Sequence, residues 1–88
     1  MTKYAEEVVV NNSYGLHARP AAIFVRMANK FNSRVILEKG GEAVDGKSII
    51  AILSLGINKG MMVKISVEGV DGHQALEELK NFLESDNG

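Results

Sequence analysis

The chain has 88 residues, 45% of them hydrophobic and 24% charged, which suits one small soluble core and excludes two. Its net charge of −1 argues against nucleic acid or an anionic membrane as a partner, and the absence of cysteine removes disulfides, thiolate catalysis and cysteine-based metal sites. No run approaches the ~20 apolar residues of a membrane span, and the acidic start lacks the apolar core of a signal peptide, so a cytoplasmic location is expected.

Residues 1–88 read as a single domain without linker, repeat or low-complexity tract. Tyr4 to Val10 is β-rich and reads as a strand. Asn11-Asn12-Ser13 is a turn cluster that leads into the loop at Gly15. From Ala18 to Lys30, Ala21, Phe24, Val25, Ala28 and Phe31 recur at helical spacing, with Arg26, Asn29 and Lys30 on the other side. Pro20, the only proline, suits the first turn of that helix, because its missing N–H would lack a partner there. Val35-Ile36-Leu37 is a second strand, Gly40-Gly41 a two-residue hairpin turn, and Glu42 to Asp45 its return strand.

Ile49 to Leu55 is apolar and by periodicity alone could be a buried strand. A Ser48 start and a Gly56 stop favour a short helix. Met61 to Glu68 alternates, with Met61, Val63, Ile65 and Val67 on one face, as in a half-buried strand. Asp71 and Gln74 resemble a capping box ahead of a helical stripe of Ala75, Leu76, Leu79, Phe82 and Leu83. Ser85-Asp86-Asn87-Gly88 reads as a fraying tail. The order strand, helix, strand, strand, helix, strand, helix is satisfied by an α+β open-faced sandwich, with helices on one face of an antiparallel sheet.

The chemistry centres on Gly15-Leu-His-Ala-Arg-Pro20. His17 stands one residue before the expected helix start. Helix N-termini carry unpaired amides and a partial positive charge, so they bind anions. A lone histidine is most often exposed or capping; this setting makes His17 a phosphoryl acceptor instead. The opening residues Ala18 and Arg19 form the expected phosphate-binding element, Ala18 through the helix start and Arg19 through a guanidinium fork. Gly15 supplies backbone freedom to aim the ring.

Ser48 is structural by default as an N-cap, yet a phosphate there would meet a favourable helix dipole. Ile49, Ile50, Ile52, Leu53 and Leu55 cannot all be buried by one short helix. Ile52 and Leu55 belong to the core, and the surplus marks a partner surface. That surface is expected to combine Ala18, Arg19, Ala22 and Arg26 with Ser48, Ile49, Ile50 and Leu53. His73 reads as a first-turn helix residue only. The sequence has no GxxxxGK[ST] loop, no metal-ligand spacing and no paired strand aromatics for RNA, so neither metal nor cofactor is expected.

Gly15-Leu-His-Ala-Arg-Pro20 and Lys47-Ser-Ile-Ile-Ala-Ile-Leu-Ser-Leu-Gly56 together resemble HPr, the histidine-containing phosphocarrier family of the bacterial phosphoenolpyruvate:sugar phosphotransferase system. The resemblance spans essentially the whole chain. It implies a four-stranded antiparallel sheet with three helices. It further implies a monomeric carrier, not an autonomous enzyme, that takes a phosphoryl group on His17 Nδ1 from phospho-enzyme I. Enzyme IIA domains would receive it, Arg19 would assist the phosphate, and Ser48 would be the regulatory serine of HPr kinase/phosphorylase. Retention of His17 argues against related regulators in which that histidine is replaced. Many HPr proteins of low-GC Gram-positive bacteria place methionines where this chain has Ile50 and Leu53. Two other readings compete: a mainly regulatory phosphocarrier of a nitrogen-related or incomplete phosphotransferase pathway, and a small ferredoxin-like ligand-binding or RNA-binding module.

Overall fold

Side-chain alternation sorts each strand into a row that faces helices and a row that faces solvent. In the computed structural model, which describes residues 2–86, the strands are β1 (Lys3–Val9), β2 (Arg34–Lys39), β3 (Glu42–Asp45) and β4 (Met62–Glu68). They form one antiparallel sheet in the order β1-β4-β2-β3. Val8 of β1, Val35 and Leu37 of β2, and Val63, Ile65 and Val67 of β4 are buried under the helices. The register joins them directly: Val8 opposes Val63, Leu37 opposes Ile65 and Val35 opposes Val67. Met61 does not extend that row; it precedes β4, half-buried, and its carbonyl accepts from Val10 N–H at 2.9 Å.

The helices are α1 (Ala18–Ala28), α2 (Ile49–Ser54) and α3 (Gly72–Glu84). The core stripe of α1 is Ala21, Phe24 and Ala28; α3 contributes Ala75, Leu76, Leu79, Phe82 and Leu83. α1 stops two residues short of Lys30. There Lys30 and Phe31 donate to the carbonyls of Met27 and Ala28, a tighter i−3 pattern that closes the helix while keeping Phe31 buried. The apolar segment after Ser48 is helical, as its cap signals indicate. Ser48 Oγ accepts from Ala51 N–H at 3.3 Å, and Ile52 and Leu55 enter the core. Gly40 and Gly41 both take positive φ, at 57° and 85°, as a two-residue hairpin between β2 and β3 requires. No helix among the described residues is long and apolar enough to cross a membrane.

Two further local expectations need correction. Asp71 is the N-cap residue of α3 but makes no side-chain cap, so the capping box does not form. Its carboxylate accepts instead from Asn32 N–H at 2.8 Å, from Ser33 N–H at 2.9 Å and from the Ser33 hydroxyl. Three donors from the turn before β2 offer more than one helix amide, and they tie α3 to the chain 38 residues earlier. Gln74 donates to Glu78. The C-terminal segment is not frayed throughout: Ser85 Oγ donates to Asn81 O at 2.5 Å and Ser13 Oγ donates to Asp86. The expected fraying of Asn87 and Gly88 falls outside the described residues.

The hydrogen bonds from Ser33 and Asn32 hold the Asp71 carboxyl below its ordinary value of 3.8. A lowered folded pKa contributes stability above the unfolded value, and that contribution is lost as pH falls through the folded one. Asp71→Asn should therefore lower the melting temperature at neutral pH. The gap from the parent should narrow as pH falls below 3.8, measured by circular dichroism.

Candidate functional site

His17 lies where two loops, far apart in sequence, close on each other. Leu16 N–H donates to Ile57 O at 3.0 Å, and Leu16 and Ile57 are both buried. Gly15 makes that approach possible. Its φ is +62°, and a β-carbon there would stand 2.5 Å from Ile57 O and 2.8 Å from Asn58 Cα. Left-handed backbone and absent space together exclude any other residue without rearrangement. The preceding turn is held by Asn12, whose Oδ1 accepts from Tyr14 N–H and whose carbonyl accepts from Gly15 N–H. The expected role of Gly15 is thus sharpened: it seats the loop against residues 57–58.

His17 is the N-cap residue of α1, with extended backbone at φ −90° and ψ −165°. Its carbonyl accepts from Ala21 N–H at 2.8 Å, closing the first helical turn. The ring stays exposed, and its Nε2 lies 2.9 Å from Asn58 Oδ1. An amide oxygen only accepts, so Nε2 carries the proton of the neutral ring. Nδ1 then keeps its lone pair.

The start of α1 has no side-chain cap and no acidic residue in its first turn. Pro20 has no N–H, so the amides of Ala18 and Arg19 are the orphan donors ahead of Ala21. Arg19 is exposed and makes no ion pair among the described residues. An open depression of about 370 Å³ is lined by Tyr14, His17, Arg19 and Pro20. An incoming tetrahedral anion would find there a guanidinium, two amides and a favourable dipole.

The remaining expected residues occupy two neighbouring helices, since α1 and α2 pack together. Ala18, Arg19 and Arg26 are exposed and Ala22 is half-buried along α1. Ser48 caps α2 and is half-buried. Ile49, Ile50 and Leu53 are exposed at 36%, 76% and 39%. The surplus of apolar residues in the second motif is therefore at the surface. His73 lies elsewhere, in the first turn of α3, edge-on to Tyr4 with ring centroids 5.6 Å apart. Sequence reasoning missed Asn58 and Tyr14. Asn58 sits in a Gly-Ile-Asn-Lys-Gly turn 41 residues from His17, and no spacing rule connects the two.

Residues 4–85 match the family model described as the PTS HPr component phosphorylation site. The chain is similar to the HPr-like protein Crh of Halalkalibacterium halodurans, 42% identical over 81 residues, covering 92% of this chain and 96% of that protein. Its fold superposes on the phosphocarrier protein HPr from Bacillus anthracis with a TM-score of 0.92 at 42% identity, covering 94% and 99% of the two chains. An HPr dimer from Thermoanaerobacter tengcongensis aligns with a TM-score of 0.73 at 45% identity, covering 88% of each chain.

Asn58→Ala removes the acceptor that fixes the ring. The neutral His17 imidazole should then shift from the Nε2–H form toward a mixture with Nδ1–H, read from its ring ¹⁵N chemical shifts. Unchanged shifts would show that Asn58 does not set the tautomer.

Proposed function

The chain belongs to the HPr phosphocarrier family, and on that premise we propose that His17 accepts a phosphoryl group from phospho-enzyme I and passes it to enzyme IIA domains for sugar uptake. The observation that carries this reading is the Nε2 contact to Asn58 at 2.9 Å, which leaves the lone pair on Nδ1 of the residue that opens α1. In the acceptance step the Nδ1 lone pair forms a bond to phosphorus. The bond from phosphorus to enzyme I breaks, and its electron pair leaves with enzyme I. The proton stays on Nε2, donated to Asn58 Oδ1. The phosphorylated ring is then cationic, and its charge and Arg19 face the phosphate oxygens together. Transfer onward reverses the same exchange.

In this reading the chain is a substrate turned over by other enzymes, not an enzyme itself, and it works in the cytoplasm. The reacting groups named here all come from one copy, so transfer needs no second subunit. Ala18, Arg19, Ala22, Arg26, Ile49, Ile50 and Leu53 form the docking surface. Apolar contact area comes from α2, and Arg19 and Arg26 steer an acidic partner. Ser48, inside that surface, is the target of HPr kinase/phosphorylase.

A second reading is favoured by the similarity to the HPr-like protein Crh and by the exposed α2 patch. The chain would then be mainly a regulatory phosphocarrier of a nitrogen-related or incomplete phosphotransferase pathway. It would keep the His17 chemistry but act through binding. Transfer of label onward to a sugar-specific enzyme IIA domain separates the two.

With enzyme I and labelled phosphoenolpyruvate, His17→Ala should lose all acid-labile label and His73→Ala should keep it. Equal labelling of the two variants refutes the assignment.

Ser48→Asp places charge at the start of α2 and inside the docking surface. Within the chain that charge is tolerated, because it meets helix amides and a dipole worth ~0.3–1 kcal/mol. Against an acidic enzyme I it opposes docking. The variant should keep the parent's circular dichroism spectrum and melting temperature while His17 phosphorylation slows by about tenfold, corresponding to ~1.4 kcal/mol of repulsion. An unfolded variant, or an unchanged rate, contradicts electrostatic exclusion.

A further inference from the structure

The solvent face of the sheet carries charges that alternate in sign both across neighbouring strands and along each strand. Strand register places side chains of this face in rows across β1, β4 and β2. One row is Lys3, Glu68 and Arg34. Two residues along the strands lies the row Ala5, Ser66 and Ile36, and two further lies Glu7, Lys64 and Glu38. The outer rows therefore read plus-minus-plus and minus-plus-minus. Lys3, Glu7, Arg34 and Lys64 are exposed, and Glu38 and Glu68 are half-buried. None of the six takes part in an ion pair among the described residues, where the pairs are Lys30–Glu78 and Lys80–Glu6.

From this we propose that the open sheet face is a weak, symmetric docking surface for a second copy of the chain. A two-fold axis lying in the interface, perpendicular to the strands and along the middle row, maps each outer row onto the opposite one. Each strand then lies over its own copy. Lys3 meets the partner copy's Glu7, Glu68 meets its Lys64, and Arg34 meets its Glu38, so all three columns pair opposite charges. The symmetry repeats each pair, giving six.

The middle row suits close approach. Ala5 and Ser66 are small, and Ile36 supplies half-buried apolar surface. The exposed pair Val9 and Met62 extends the face beyond the Glu7 row with apolar area. Asp45, paired with Ile36 at the β3 edge, would face its own copy; its carboxylate is turned back to accept from Lys47 N–H at 2.9 Å. Stacked sheets with aligned strands are an ordinary packing mode.

The area sets the strength. Strands of 7, 6, 4 and 7 residues, rising about 3.3 Å per residue and lying about 4.8 Å apart, give a face on the order of 380 Å² per copy. Two copies bury on the order of 760 Å², the low end of weak and transient association. Much of the attraction is between exposed charges, so it is screened by salt. The helical layer with His17, Arg19 and Ser48 lies on the other side of the sheet and stays free in both copies.

The test is translational diffusion and amide chemical shifts by NMR, from micromolar to millimolar concentration at low and high salt. At low salt, rising concentration should slow diffusion and shift the amides of Ala5, Ile36 and Ser66, and high salt should reverse both. Lys64→Glu puts like charges in the central column twice per dimer and should weaken association about tenfold or more. Lys64→Glu combined with Glu68→Lys restores opposite charges in that column and should restore association. Circular dichroism melting confirms that both variants fold. A chain that stays monomeric at millimolar concentration and low salt overturns the proposal. So does a double variant that fails to recover, or a dimer that resists salt and exchanges slowly, as strand exchange would. Shifts confined to α1 and α2 likewise overturn it.

Discussion

The closure of the Gly15–Leu16 segment on Ile57–Asn58 is the contact on which the site depends. Burial of Leu16 and Ile57 supplies the driving force, of the order of 1.5–3 kcal/mol for each side chain. The bond from Leu16 N–H to Ile57 O fixes the register of the two loops. Gly15 permits the approach, because a β-carbon would collide with the backbone of Ile57 and Asn58. Once this contact forms, Asn58 is brought to His17 Nε2 and the extended backbone of His17 turns its ring outward. The tautomer of one exposed ring thus follows from apolar packing between segments 41 residues apart.

This dependence also explains which parts of the molecule were legible in the sequence. His17, Arg19 and Pro20 announce themselves because they act within one local motif, and local backbone chemistry decides where a helix begins. Ser48 is legible for the same reason. The exposed patch on α2 follows from counting: six residues of helix cannot bury Ile49, Ile50, Ile52 and Leu53 on one side, and the structure buries Ile52 while exposing the others. Asn58 is different. Its role comes from a tertiary contact, and a Gly-Ile-Asn-Lys-Gly turn would read the same wherever it packed.

Asp71 fails in the opposite direction. The pattern Asp-x-x-Gln is a fair cap signal, but the donors that matter come from Asn32 and Ser33. A carboxylate goes to the richest cluster of donors, and tertiary structure supplied a richer one than the helix did. The same reasoning applies to Ser85 and Asp86, whose bonds to Asn81 and Ser13 depend on where α3 ends in space. Element type and order were legible throughout because apolar periodicity is strong. End points shifted by a residue or two where a turn's own hydrogen bonds competed, as at Lys30 and Met61.

A carrier of the proposed kind must bind a donor, leave it, bind an acceptor and leave again, so tight binding would slow the relay. The geometry suits that constraint. The proposed nucleophile, His17, is exposed at a helix start beside an open depression. Preorganisation is confined to the ring, the orphan amides and the backbone that positions them, all of which are set before any partner arrives. On the proposed docking surface the exposed apolar residues Ile49, Ile50 and Leu53 are few, so desolvation would contribute limited affinity, while the arginines would act mainly on the rate of encounter. A catalytic pocket would gain from enclosing its substrate. A shared phosphohistidine gains from the reverse, because the same nitrogen has to be reached from outside by two different proteins in turn.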